Sequence, residues 1–80
     1  MNRNICRLCD IKCGTRAEIV SLRDSCGLTE RLSDIGFIPG TTVECVIKSA
    51  LGDPSAFLVR GALIALRRDD SKYINVEVIT

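Results

Sequence analysis

Residues 28–54 read LTERLSDIGFIPGTTVECVIKSALGDP, and the fold turns on this stretch. Leu28, Leu32 and Ile35 fall at i, i+4 and i+7, one apolar stripe on a short helix. Gly36 stands where a left-handed C′ residue belongs, and Phe37 follows in the position that folds back on Leu32 in a Schellman stop. A helix this short does not hold by itself in water, so the stripe predicts packing on a sheet. Ile38-Pro39-Gly40-Thr41 fits a type II turn, proline presetting φ at the second position and glycine supplying positive φ at the third. A strand over 42–49 follows, with Val43, Cys45 and Ile47 predicted inward and Thr42, Glu44 and Lys48 outward. Val46 breaks the alternation. Leu51-Gly52-Asp53-Pro54 ends the stretch as a second turn.

The same punctuation continues on both sides. Upstream, Gly14 opens a strand over Arg16–Leu22, where Ala17 and Ile19 alternate with Glu18 while Val20 and Leu22 blur the polar face. Residues 1–14 are irregular and cysteine-rich, with Leu8 and Ile11 as anchors onto the core. Asp24-Ser25-Cys26-Gly27 is a break rich in helix-capping types. Downstream, 56–60 predicts a returning strand with Phe57 and Val59 inward, and Gly61 permits a bend or bulge. Ala62–Leu66 is a third apolar strand, and 67–72 reads as a tight turn or one turn of 3₁₀ helix. The strand over 73–79 alternates Ile74, Val76 and Val78 against Asn75 and Glu77. Five short strands and one helix, without repeat or linker, predict a mainly β fold: one domain over 1–80 built as a small closed or nearly closed barrel.

Composition narrows the function. Of the 80 residues 46% are hydrophobic, mostly Val, Ile and Leu. Rings occur only at Phe37, Phe57 and Tyr73, too few for base-stacking surfaces or aromatic cages. A core of this size supplies a thin net stability of about 3–5 kcal/mol. Net charge is +1, and the basic run of Arg60, Arg67, Arg68 and Lys72 is broken by Asp69 and Asp70, so the chain lacks the basic face that nucleic acid requires. Asp69 and Asp70 read as surface solvation, since adjacent carboxylates on a turn seldom converge on one ion. Histidine is absent, which removes Ser-His and Cys-His nucleophilic pairs, imidazole metal ligands and the commonest general base. No catalytic residue is expected. The first residues lack a secretory apolar run, and the longest apolar run, 62–66, falls far short of the ~20 residues that cross a bilayer. A cytoplasmic protein is expected.

Cys6-x2-Cys9-x3-Cys13 is the one constellation with chemical character. Three thiols this close can converge on Fe2+, Zn2+ or an iron-sulfur cluster, with Cys26 as a fourth ligand. A zinc site normally shows two Cys-x2-Cys-like pairs, and one is present. The alternative is that they are small semi-apolar residues near a terminus. Five cysteines, an odd number without a secretory signal, argue against a disulfide framework. Cys45, on an inward strand position, reads as core.

Taken in order, Gly14, Arg31-Leu32, Gly36-Phe37, Pro39-Gly40, Gly52-Asp53-Pro54, Arg60-Gly61, Ala65-Leu66-Arg67 and Ile74-Asn75-Val76 make a pattern that resembles the FeoA family over nearly the whole chain. Each turn alone is common; eight elements in order are specific. The resemblance implies an SH3-like barrel, a non-enzymatic accessory of ferrous iron transport that works at the cytosolic GTPase region of the membrane iron transporter and touches the membrane only through it. Cys13 falls where relatives carry proline, and Cys9 where they carry a small polar residue, so the resemblance lends the cysteines no role. The barrel also resembles the C-terminal domain of metal-dependent repressors, although these residues include no winged helix.

The residues that could meet a partner are Arg31 and Asp34 on the outer helix face, the turn through Phe37, and Arg60 and Arg67, whose guanidinium groups flank apolar strands. Homodimerisation or partner pairing through an open strand edge is physically available. The competing readings are a small transition-metal-binding or metal-sensing protein using the N-terminal cysteines, and a stand-alone repressor-type regulatory domain.

Overall fold

Backbone geometry at the helix end sets the centre of the molecule. The computed structural model describes residues 4–23, 28–49 and 53–79. Helix α1 (Leu28–Asp34) stops where Gly36 takes φ +110°. The Phe37 amide donates to the Leu32 carbonyl (2.9 Å) and the Gly36 amide to that of Ser33 (3.1 Å), the two bonds of a Schellman motif. Phe37 thereby drops its ring into the core, fully buried beside Leu32. The type II turn follows as read: Gly40 has φ +92°, and the Thr41 amide donates to the Ile38 carbonyl (3.1 Å).

The strands are β1 (Ile5–Arg7), β2 (Arg16–Leu22), β3 (Thr42–Lys48), β4 (Ser55–Val59), β5 (Ala62–Leu66) and β6 (Ile74–Val78). They form one antiparallel sheet in the order β1-β6-β2-β3-β4-β5. A 3₁₀ turn (Leu8–Asp10) and helix α2 (Arg68–Ser71) pack together, joined by an Arg68–Asp10 ion pair (3.5 Å). The Arg68 amide also donates to Asp53 Oδ1 (2.9 Å). The inner faces of the strands bury Ala17, Ile19, Val43, Cys45, Phe57, Val59, Leu66, Ile74 and Val76, and Leu8 and Ile11 anchor the N-terminal segment as expected. Each larger aliphatic or aromatic side chain buried in this way contributes about 1.5–3 kcal/mol.

Several expectations are corrected. Among the described residues there are six strands and two α-helices rather than five and one, because Ile5–Arg7 pairs with β6 and 68–71 closes an α turn. Three residues are too few to show a period, and nothing local in ICR announces a strand. The Lys72 amide reaches the Arg68 carbonyl (3.0 Å), the i→i+4 bond that makes this turn α rather than 3₁₀. Ile35 is 46% exposed rather than on the core stripe, because the helix ends one residue before it. Ile47 is 52% exposed because the β3–β4 register shifts between Cys45 and Ile47, a bulge that absorbs Val46 and reverses the faces beyond it. A second shift, between Ile19 and Ser21, explains the blurred alternation of β2. Gly61 makes the bend and not the bulge of the two alternatives: Arg60 (φ +53°) and Gly61 (φ +85°) form the two-residue type I′ turn of the β4–β5 hairpin. Residues 24–27 and Leu51-Gly52, read as turns, lie outside the described residues.

Gly36 is the position least tolerant of a side chain. A Cβ there would stand 3.3 Å from Val59 Cγ1 in addition to the strain of φ +110°. Gly36→Ala is therefore expected to lower the unfolding free energy by about 1–3 kcal/mol in urea titration, more than Gly40→Ala, whose added methyl meets open space.

Candidate functional site

The cysteines fall into two neighbourhoods. Cys6 lies on β1 and Cys9 in the 3₁₀ turn, where Cys9 Sγ donates to Asp10 Oδ1 (3.7 Å). Cys13 is exposed and donates its thiol to the Val46 carbonyl at the β3 bulge (2.9 Å). Its neighbour Gly14 donates to the Cys45 carbonyl (2.7 Å), and Lys48 Nζ donates to the Cys9 carbonyl (3.3 Å). These bonds stitch the N-terminal segment to the end of β3. Cys45 is core, as read. Among the described residues no three Cys, Asp or Glu side chains converge as a metal site, and Cys26 lies outside them.

The electrostatics follow the same division. Burial, then the negative charge of Asp10, pushes both the Cys6 and Cys9 thiols up. Burial does the same to Cys45. Arg7 Nε donates to Asp10 Oδ2 (3.0 Å), and that bond, reinforced by the charges of Arg7 and Arg68, holds the Asp10 carboxyl below the usual range. Raised thiol pKa values disfavour the thiolate that a metal or an electrophile would need.

The docking residues are also sorted by the fold. Arg31 and Asp34 are both exposed, and no ion pair joins them. Phe37, expected at a partner surface, is fully buried, because the Schellman stop turns its ring inward. Its place at the surface is taken by Ile35 and by Ile38, both exposed. Arg60 lies next to them, since a Cβ on Gly36 would stand 3.5 Å from Arg60 Cδ. The helix end and the β4–β5 turn thus form one corner, while Arg67 sits at the opposite end of β5. Among the described residues there is no cavity, so any recognition uses a surface. Sequence reasoning missed Ile38, Leu58 and Leu63 as exposed apolar residues, and it placed Ile35 and Ile47 inward.

The model of the FeoA domain matches residues 6–78. The chain belongs to the FeoA domain family. A curated relative, the Fe(2+) transport protein A/Fe(2+) transporter FeoB fusion protein of Porphyromonas gingivalis, is 31% identical over 74 residues, covering 92% of this chain. This chain spans only 9% of that relative's length. The solution structure of a FeoA-like protein from Clostridium acetobutylicum superposes with TM-score 0.89 at 25% identity, covering 100% of this chain and 92% of that one. FeoA of Stenotrophomonas maltophilia, described as a prokaryotic SH3 domain protein and crystallised with zinc, superposes with TM-score 0.79 at 28% identity, covering 88% and 87%. This FeoA domain is accordingly an SH3-like, mainly β fold with two short helices. Among the described residues no helix is long and apolar enough to cross a membrane.

Two outcomes follow from the cysteine and Asp10 geometry. Alkylation by iodoacetamide at neutral pH, followed by peptide mass spectrometry, should label Cys13 about tenfold or more faster than Cys9 and Cys45, whose thiols are buried and held protonated. Because the folded pKa of Asp10 is depressed, its stabilisation is present above the unfolded carboxyl pKa and lost as pH falls through the folded value. Asp10 is largely solvent-screened, so Asp10→Asn should cost only a few tenths of a kcal/mol at neutral pH, and nothing at the acid end of a pH series of denaturation curves.

Proposed function

We propose that this FeoA domain is a non-enzymatic, cytoplasmic accessory of ferrous iron transport that acts by binding the cytosolic GTPase region of the membrane iron transporter. The observation that carries this reading is the relative in which matching sequence is fused to a Fe(2+) transporter in one polypeptide. Fusion places the two at high effective concentration, which is useful where the separate proteins must meet. The chain's own chemistry agrees: it has no histidine, and its exposed apolar residues with neighbouring arginines are suited to contact rather than to turnover.

The contact is assigned to the corner built by Ile35, Ile38 and Arg60, with Arg31 and Asp34 on the adjoining helix face. Exposed aliphatic residues beside a guanidinium are the usual makings of an interface centre with a charged rim. Isothermal titration of the chain into the transporter's purified cytosolic region, with and without guanine nucleotide, is expected to show saturable binding. Ile35→Asp should weaken it roughly tenfold or more while leaving the unfolding midpoint near wild type, since Ile35 is outside the core. No binding in either nucleotide state would overturn the proposal.

A further inference from the structure

We propose that the outer edge of β5 is a strand-addition site for an extended, alternating apolar segment of another protein that carries acidic residues at both ends. This deepens the accessory reading by naming the chemistry of the segment bound, and it rests on that reading only in taking the occupant to be a protein.

Strand β5 ends the sheet, and among the described residues no strand lies on its outer side. In a two-residue hairpin the pairs Val59–Ala62, Phe57–Ile64 and Ser55–Leu66 exchange hydrogen bonds, so Leu63 and Ala65 point their N–H and C=O groups away from β4. Edges of this kind are normally guarded by a charge, a proline, a bulge or shortness. The other edge, β1, is only three residues long and ends on Arg7. By contrast, Ala62–Leu66 reads ALIAL, with none of these guards.

The surface beside this edge is apolar as well. Cross-strand registers set Ile47, Ala56 and Ala65 in one outward row, and Glu44, Leu58 and Leu63 in the next. Leu58 and Leu63 are 40% and 57% exposed, so an added strand would extend an apolar face that already reaches the edge.

Charge selects the occupant. Arg60 precedes the strand, and Arg67 and Arg68 follow it. Arg68 is already paired with Asp10 (3.5 Å) and Asp69 of α2 faces Lys72 (3.8 Å), whereas Arg60 and Arg67, both exposed, stand one at each end of the edge. A second copy would fit poorly. The two-fold antiparallel register that pairs all five residues is centred on Ile64, and it brings the Arg60 end of each copy to the Arg67 end of the other. Like charges directly opposite are destabilising, whereas a segment with Glu or Asp at both ends places a carboxylate against each arginine.

The test is an amide NMR titration of the full chain with the synthetic peptide Glu-Glu-Val-Thr-Val-Thr-Val-Glu-Glu and its lysine-ended counterpart. The expected result is shifted, exchange-protected amides at Leu63 and Ala65, with the acidic-ended peptide binding roughly fivefold or more tightly. Ala65→Pro removes an outward N–H without touching a β4 bond and should abolish the effect; if it disturbs folding, Leu63→Lys reads the same edge at an exposed side chain. Shifts confined to other residues, equal affinity for the two peptides, or binding that survives both substitutions would overturn the proposal. So would protection of Leu63 and Ala65 that grows with protein concentration alone, which would mark a second copy. Transporter binding with no peptide at β5 would leave the accessory reading standing and remove this one, and the reverse pattern would do the opposite.

Discussion

The structure depends on bending one antiparallel sheet tightly enough to enclose a core of small aliphatic side chains. An ordinary twisted sheet would leave Phe57 and its inward neighbours facing water on one side. The register shifts in β2 and β3 supply the bend, since each extra residue increases local twist and turns the strand. The remaining opening is filled by α1 through Leu32 and Phe37, and by the 3₁₀ turn through Leu8. The bulges also have a cost in surface character. At Val46 and Ile47 the inward and outward faces exchange, and both apolar residues are left exposed.

Much of this was legible in the sequence because it rests on backbone chemistry that few residues satisfy. Gly36 and Gly40 have positive φ where the Schellman stop and the type II turn require it, and α1 starts at Leu28, the first residue of its apolar stripe. The failures share a physical cause. A bulge is an arrangement between two strands, so nothing along β3 alone reveals that Ile47 faces out. Strand β1 exists because β6 arrives beside it, and its three residues hold no period of their own. Every residue of β5 is apolar, so alternation could not say which side of it faces solvent.

The candidate site was less legible than the fold. Arg60 and Arg67 stood out by charge and by flanking the predicted strand 62–66, but that Arg60 lies beside Gly36 at the helix end needed the folded structure. Phe37 reads in the sequence both as the residue that folds back on Leu32 and as part of a docking turn, and the two Schellman bonds settle its ring in the core. The cysteines stood out by spacing along the chain, and the fold sends Cys13 to the β3 bulge while Cys6 and Cys9 stay near Asp10. For function, the comparisons added a relative in which matching sequence is fused to a Fe(2+) transporter, which no residue of this chain displays by itself.

The position of β6 has a consequence for how the molecule is made. Strand β6, the last of the described strands, lies between β1 and β2, the first two, and the Val78 amide closes onto the Asn4 carbonyl (3.0 Å). Until residues 74–78 leave the ribosome, Ala17 and Ile19 have only β3 beside them and β1 has no partner in the sheet. The core is therefore completed by a long-range step that brings β6 back between the first two strands, and that pairing must wait for residues 74–78.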